Sequence, residues 1–184
     1  MNQEQNPSDM AKLVLPNGDI DLPIVHATEG YDGVQLGALL KETGTITLDN
    51  GYVNTGSCES CITYIDGDKG ILRYRGYPIE ELAEKATFME VAYLLIHGHL
   101  PNFTELEDFR MSIKYNTELD WDFRKFYEAI PRWGHPMPSM AAAVNLLSYY
   151  NQDCLDPHNP GEVEKATRVL LGQVPMLTAD IYRH

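Results

Sequence analysis

The chain has 184 residues, with 27 acidic against 14 basic side chains and a formal net charge of −13. That length holds one domain with a sizeable core, and the charge argues against a nucleic-acid or membrane-surface role, with no arginine-rich patch to offset it. No apolar run approaches the roughly 18 residues of a membrane span, and the polar opening lacks the basic-then-apolar order of a signal peptide. The expectation is a soluble, cytoplasmic protein.

In chain order, residues 1–10 read as a disordered lead and 11–76 as a β-rich segment built from hairpins. Lys12-Leu13-Val14-Leu15 and Ile20-Asp21-Leu22 flank Pro16-Asn17-Gly18-Asp19, and Asn-Gly between apolar alternations is a strong hairpin signal. Residues 30–37 read as loop, 36–41 as one helical turn, and Thr45-Ile46-Thr47-Leu48 as a third strand closed by Asp49-Asn50-Gly51. Two further β-prone runs flank Asp66-Gly67-Asp68-Lys69-Gly70, a link suited to closing another hairpin. The segment carries too little apolar surface to fold strongly alone.

From residue 77 the reading is helical. Pro78 fits the first position of a helix, where its missing N–H costs nothing. Thr87-Phe88-Met89-Glu90 has the form of a capping box. Phe88, Val91, Ala92 and Leu95 follow at i, i+3, i+4 and i+7, and neighbouring apolar residues widen that stripe enough for burial on most sides. Gly98 and Pro101 stop the helix. Thr104 and Glu107 suggest a second box, opening a helix to about residue 115. Leu119, Phe123, Phe126, Tyr127 and Ile130 give an amphipathic helix ended by Pro131. Residues 138–150 form a helix rich in Ala and Met, whose small side chains permit close approach to a partner. A two-proline loop over 153–160 precedes a last helix carrying Pro175, where a kink or break is expected. Met176, Leu177 and Ile181 keep helical spacing with no stop signal after them, which reads as a chain that continues.

Three cysteines, Cys58, Cys61 and Cys154, make a poor disulfide framework. Cys58 and Cys61 have CxxC spacing. A zinc site needs a second ligand pair, which the sequence does not offer, and a thioredoxin-type pair expects a βαβ setting. Ordinary reduced thiols are the better reading, with metal or redox chemistry as the sharper alternative. His97 and His99 flank a helix end at a spacing poor for a metal, and His135 precedes a helix start, so capping and surface roles are expected. The 66–70 link mimics the opening of a calcium loop, but Tyr77 stands where the bidentate Glu belongs.

Several of these stretches together resemble the citrate synthase family, in its bacterial form with an extra N-terminal β-rich segment. The matching residues are Ser57-Cys58-Glu59-Ser60, Ile65-Asp66-Gly67-Asp68-Lys69-Gly70-Ile71-Leu72, Arg75-Gly76-Tyr77-Pro78-Ile79, Leu82-Ala83, Tyr93-Leu94-Leu95, Gly98 with Leu100-Pro101, and Gly134-His135-Pro136-Met137. The resemblance runs from about residue 11 to 184. It implies a mainly α fold with a small N-terminal β-rich segment, residues 77–184 being the first helices of a large all-α domain. It also implies the N-terminal part of an acyltransferase of the tricarboxylic acid cycle that condenses acetyl-CoA with oxaloacetate, and a homo-oligomer, dimer or hexamer. No cofactor is implied, since acetyl-CoA is a substrate.

Removing a proton from an acetyl methyl takes a carboxylate base and a neutral donor for the enolate oxygen, and a dicarboxylate is gripped by arginines. By the resemblance, the catalytic histidines, the aspartate base and the substrate arginines all lie beyond the position matching residue 184. No catalytic residue is therefore assigned, and the isolated chain is expected to be inactive. Some members of this branch are hexamers inhibited by NADH. The positions matching that nucleotide site are Thr117, Tyr150 and Arg168, while Tyr115, Asn116 and Gly172 stand where the site carries an Arg-His pair and a lysine. A 2-methylcitrate synthase and a non-catalytic assembly module remain the alternatives.

Overall fold

The computed structural model describes residues 9–183, so residues 1–8 of the expected disordered lead lie outside the described residues. The chain divides into two compact units, Met1–Ala86 and Thr87–His184. The structure is mainly helical with two small sheets.

In the first unit, β1 (Met10–Leu13), β2 (Ile20–Val25) and β3 (Gly33–Val34) form an antiparallel sheet in that order. Leu13 pairs with Ile20 across the Asn-Gly link. Period-2 alternation puts Ile20 and Leu22 inside and leaves Asp21 in solvent. Leu39, opening the short helix α1 (Leu39–Thr43), covers that pair and completes a three-residue core. The loop expected over 30–37 contains β3, whose residues Val34 and Gly33 pair with Ile24 and Val25.

The third strand expected over 45–48 is absent. Ile46 and Leu48 are exposed, and β-branched alternation without a partner strand leaves backbone groups to water. What orders the following turn is Asp49, whose carboxylate accepts the Val53 and Asn54 N–H groups at 3.1 and 2.9 Å.

The second hairpin is as expected. β4 (Thr63–Asp66) pairs with β5 (Ile71–Tyr74), and the Asp66 carboxylate accepts the Lys69 N–H at 3.0 Å. Turn chemistry, not calcium geometry, accounts for these residues. β5 turns at once into β6 (Tyr77–Pro78) through Arg75 (φ 48°) and Gly76 (φ 87°), the two positive values of a primed hairpin turn. Pro78 is therefore not the first helical residue. It completes the ladder opposite Arg73 with an extended ψ of 142° and caps α2 (Ile79–Lys85) from outside. An all-helical description accordingly fails for the chain as a whole, and even residues 77 and 78 are strand.

The second unit is helical throughout its described elements. α3 (Phe88–His97) has the Thr87–Glu90 capping box, the Glu90 carboxylate accepting the Thr87 N–H at 2.7 Å, and it ends at Gly98 with φ 88°. Its buried face centres on Tyr93 and Leu94, residues that widen the stripe; Val91, Ala92 and Leu95 of the stripe are half-buried, while the Phe88 ring is 73% exposed. A helix apolar on most sides buries only the sides its neighbours reach, and Phe88 lies in the first turn, on the solvent side. The cap of α4 (Phe103–Lys114) lies two residues earlier than expected. Asn102, not Thr104, is its cap, because Glu105 stands at the required third position and returns its carboxylate to the Asn102 N–H at 2.8 Å.

α5 (Phe123–Ala129) is shorter than the periodicity implied, since Asp120 accepts the Asp122 N–H at 2.8 Å and holds a turn ahead of it. α6 (Pro136–Tyr150) starts at Pro136, with His135 Nδ1 accepting the Met137 N–H. α7 (Pro160–Arg183) runs unbroken through Pro175, so of the kink or break expected there the break does not occur. Packing on both sides of that position outweighs one missing helical hydrogen bond. Phe123, Tyr127, Ala143, Leu147 and Leu177 form the main core, in which Ala143 is fully buried as close helix approach requires. A second cluster joins Tyr93, Phe109 and Ile113, with Leu171 of α7 packed against it.

Candidate functional site

A groove of about 610 Å³ lies in the helical unit, between α3, α4 and the approach to α7. The α3 and α4 caps set its shape, because they fix where each helix starts. Tyr93 and Phe109 form its apolar floor, edge to face at 5.4 Å. The His97 ring lies on Tyr93 at 4.1 Å, and His99 approaches Tyr93 edge-on at 5.4 Å. Glu105 lines the groove while capping α4 and meeting His99 at 3.4 Å. The Asn102 N–H, and then His99, hold its carboxyl below the usual range. Burial pushes the Tyr93 phenol above its ordinary value. At the far wall Arg168 pairs with Glu164 one turn away.

These groups are committed to caps, ring contacts and an ion pair. The groove offers an apolar floor with a polar rim, which suits binding or helix docking more than proton transfer. Sequence reading missed it because Asp108, Ser112 and His158 carry no motif. Only the fold brings them beside His97.

The three positions matching a nucleotide site are not gathered in one hollow. Arg168 lines the groove just described. Tyr150 lines a second cavity of about 340 Å³, with Phe123 at 5.6 Å and Gln173, whose amide donates to the Glu118 carbonyl at 2.9 Å. Glu118 and Asp120 make that second wall acidic. Thr117 donates its hydroxyl to the Lys114 carbonyl at 2.9 Å. Gly172 has a packing reason for its identity. A Cβ there would lie 2.7 Å from the Asn116 carbonyl oxygen and 3.0 Å from that of Ile113, so α7 passes backbone-close to the end of α4. A lysine at this point would force the two apart.

The histidines fall where capping and surface roles put them, His97 at the end of α3 and His135 capping α6. The thiols differ among themselves. Cys58 and Cys61 are exposed, and Cys61 accepts a hydrogen bond from the Arg75 guanidinium at 3.0 Å. Cys154 donates to the Asn151 carbonyl at 3.2 Å, and burial pushes its thiol up. Among the described residues no helix is long and apolar enough to cross a membrane.

Comparison with known proteins places these elements. Residues 51–184 match the family model described as citrate synthase, C-terminal domain. The chain is 53% identical over 175 residues to citrate synthase 1 of Mycobacterium tuberculosis, and 52% identical over 176 residues to the citrate synthase of Corynebacterium glutamicum. These matches cover 95% and 96% of this chain but 41% and 40% of the relatives, so the chain spans about two fifths of their length. Among solved structures, the citrate synthase of Thermoplasma acidophilum, in ternary complex with carboxymethyl coenzyme A and oxaloacetate, superposes with a TM-score of 0.67. That match has 26% identity over 76% of this chain and 36% of the other. The citrate synthase of Pyrobaculum aerophilum gives 0.62 at 27% identity, covering all of this chain and 40% of that one. A family model spanning most of the chain, relatives identical at every second residue, and the same helical arrangement in solved structures agree: the chain belongs to the citrate synthase family.

Proposed function

We propose that this chain is the N-terminal portion of a citrate synthase, the cytoplasmic enzyme that condenses acetyl-CoA with oxaloacetate and water to give citrate and CoA. The observation that carries this reading is 53% identity to a citrate synthase along 95% of the chain. The solved relative bound to carboxymethyl coenzyme A and oxaloacetate supports the substrate assignment.

In this reaction an active-site base takes a proton from the acetyl methyl, a hydrogen-bond donor holds the enolate oxygen, and the enolate attacks the ketone of oxaloacetate. Hydrolysis of the thioester then releases CoA. The groups for these steps are expected in the part of the family's length that this chain does not span. Its own contribution is to position them, through the capped pair α3 and α4 and the long helix α7. Exposed Met137, Tyr149, Met176 and Tyr182 on α6 and α7 favour coverage by the rest of the protein or by a second copy.

A chimera tests the proposal. This chain replaces the matching segment of the Mycobacterium tuberculosis enzyme, and thiol release is followed with acetyl-CoA and oxaloacetate. We expect turnover from the chimera and none from the isolated 184-residue chain. A folded, inactive chimera overturns the assignment, and a preference for propionyl-CoA would move it to 2-methylcitrate synthase. Regulation by NADH through Thr117, Tyr150 and Arg168 is a separate proposal, weakened by the acidic wall beside Tyr150. Fluorescence titration of the full-length protein decides it: saturable micromolar binding lost in Arg168→Gln supports the site, and no binding removes it.

A further inference from the structure

We propose that Cys61, Cys58 and Arg75 form a thiol-exchange site in the first unit. In it Cys61 attacks low-molecular-weight disulfides, and Cys58 resolves the product into an intramolecular disulfide.

The reasoning starts from the turn. Arg75 stands at φ 48°, a left-handed conformation that a residue with a Cβ adopts only where its surroundings demand it. The demand is the two-residue link from β5 to β6. Its backbone N–H donates to the Ile62 carbonyl at 2.7 Å, extending the β4–β5 ladder by one rung. The residue before Ile62 is Cys61, so the ladder holds the start of Arg75's side chain beside it. The guanidinium Nη1 then donates to Cys61 Sγ at 3.0 Å. A guanidinium held against an exposed sulfur singles out Cys61 among the three thiols.

The second thiol lies three residues earlier. Cys58 is exposed, in a stretch with no helix or strand, so it can approach Cys61 without breaking a ladder. Cys154 is the internal contrast, half-buried with its S–H donated to the Asn151 carbonyl.

The chemistry balances without any other oxidant. The Cys61 thiolate attacks one sulfur of a small disulfide, forming a mixed disulfide and expelling one thiolate. The Cys58 sulfur then attacks Cys61 Sγ, closing the Cys58–Cys61 bond and expelling the second thiolate. Two protein thiols are oxidised, one small disulfide is reduced to two thiols, and the two protons pass to solvent.

The test uses the 184-residue chain with 5,5′-dithiobis(2-nitrobenzoate) as the disulfide, followed by released thiolate and intact mass. The wild-type chain should lose two hydrogens and retain no probe at 58 or 61. Cys58→Ser should trap one probe on Cys61, and Cys61→Ser should leave Cys58 reacting about tenfold more slowly. Arg75→Gln should slow the first release by a similar factor while slow labelling of Cys154 stays unchanged, which reports that the fold persists. Stable probe on both cysteines, faster reaction at Cys58 than at Cys61, or an unchanged rate in a folded Arg75→Gln chain would overturn the site. If Arg75→Gln speeds Cys154 labelling, Arg75→Lys replaces it. A folded Lys variant should restore the charge but not the planar fork and react at an intermediate rate, and a rate equal to wild type would overturn the role of Arg75.

Discussion

The two units reach order by different means. In the first, short-range polar chemistry does most of the specifying. Asp49 and Asp66 each close a turn with side-chain-to-backbone bonds, and buried apolar side chains are few: the cluster Ile20, Leu22 and Leu39, and Leu82 on α2. In the second unit α3 and α4 are started by capping boxes, but the helices are held by apolar faces, with Phe123 and Leu177 at its centre and almost wholly buried. A unit held by turns tolerates loss of a core methyl better than one held by packing, because less of its stability resides in the core.

The largest expected effect separates the two directly. Phe123→Ala empties the centre of the main helical core and should cost about 3–5 kcal/mol, enough to abolish cooperative melting of that unit. Leu22→Ala in the small core should cost less, about 2–3 kcal/mol. Circular dichroism melts of both variants measure this, and equal losses would break the contrast. A smaller effect probes how closely the helices pass. Gly172→Ala normally helps a helix by up to about 1 kcal/mol, yet here the added methyl meets the Asn116 carbonyl at 2.7 Å. A net destabilisation of about 1–3 kcal/mol is expected in denaturant titration. Stabilisation instead would mean that α7 yields at that point.

The smallest effect belongs to the first unit. His26, just past the end of β2, bridges Asp32 at 2.8 Å and Asp9 at 3.4 Å, and the hydrogen bond to Asp32 raises its pKa above the ordinary 6.5. The folded state then keeps a proton that the unfolded chain gives up. Its contribution is full below pH 6.5 and fades as pH rises through the higher folded value. The Ala27 amide, which donates to Asp32 at 2.9 Å, should exchange faster above that point than hydroxide catalysis alone accounts for. His26→Gln should flatten the dependence, and an unshifted imidazole titration by NMR would dismiss the bridge.

What the sequence revealed follows the same division. Hairpins closed by Asn-Gly and by the 66–70 link, the Thr87–Glu90 box and the Gly98 stop are local, and each is found where its residues put it. The failures were of partnership. Residues 45–48 have the pattern of a strand but no neighbour to pair with, and Phe88 is the exposed end of an apolar stripe whose other members are half-buried. Pro175 looked like a break because the packing that keeps α7 whole is contributed by residues far away in sequence. The groove was illegible for the same reason, since residues separated by more than a helix meet there without a motif. Gly172 looked like a lost lysine, and only the distance to Asn116 shows what it is for.

The corner at residues 98–102 carries one more consequence. Glu105 answers both to the Asn102 N–H and to His99, so the exit of α3 and the start of α4 are tied across a very short loop. Closing so short a loop costs little chain entropy, and contacts that near in sequence form early. As the polypeptide leaves the ribosome, this helix pair can therefore settle while α7 is still unmade. The Tyr93–Phe109–Ile113 patch waits in the open for Leu171, an interval in which a chaperone would find something to hold.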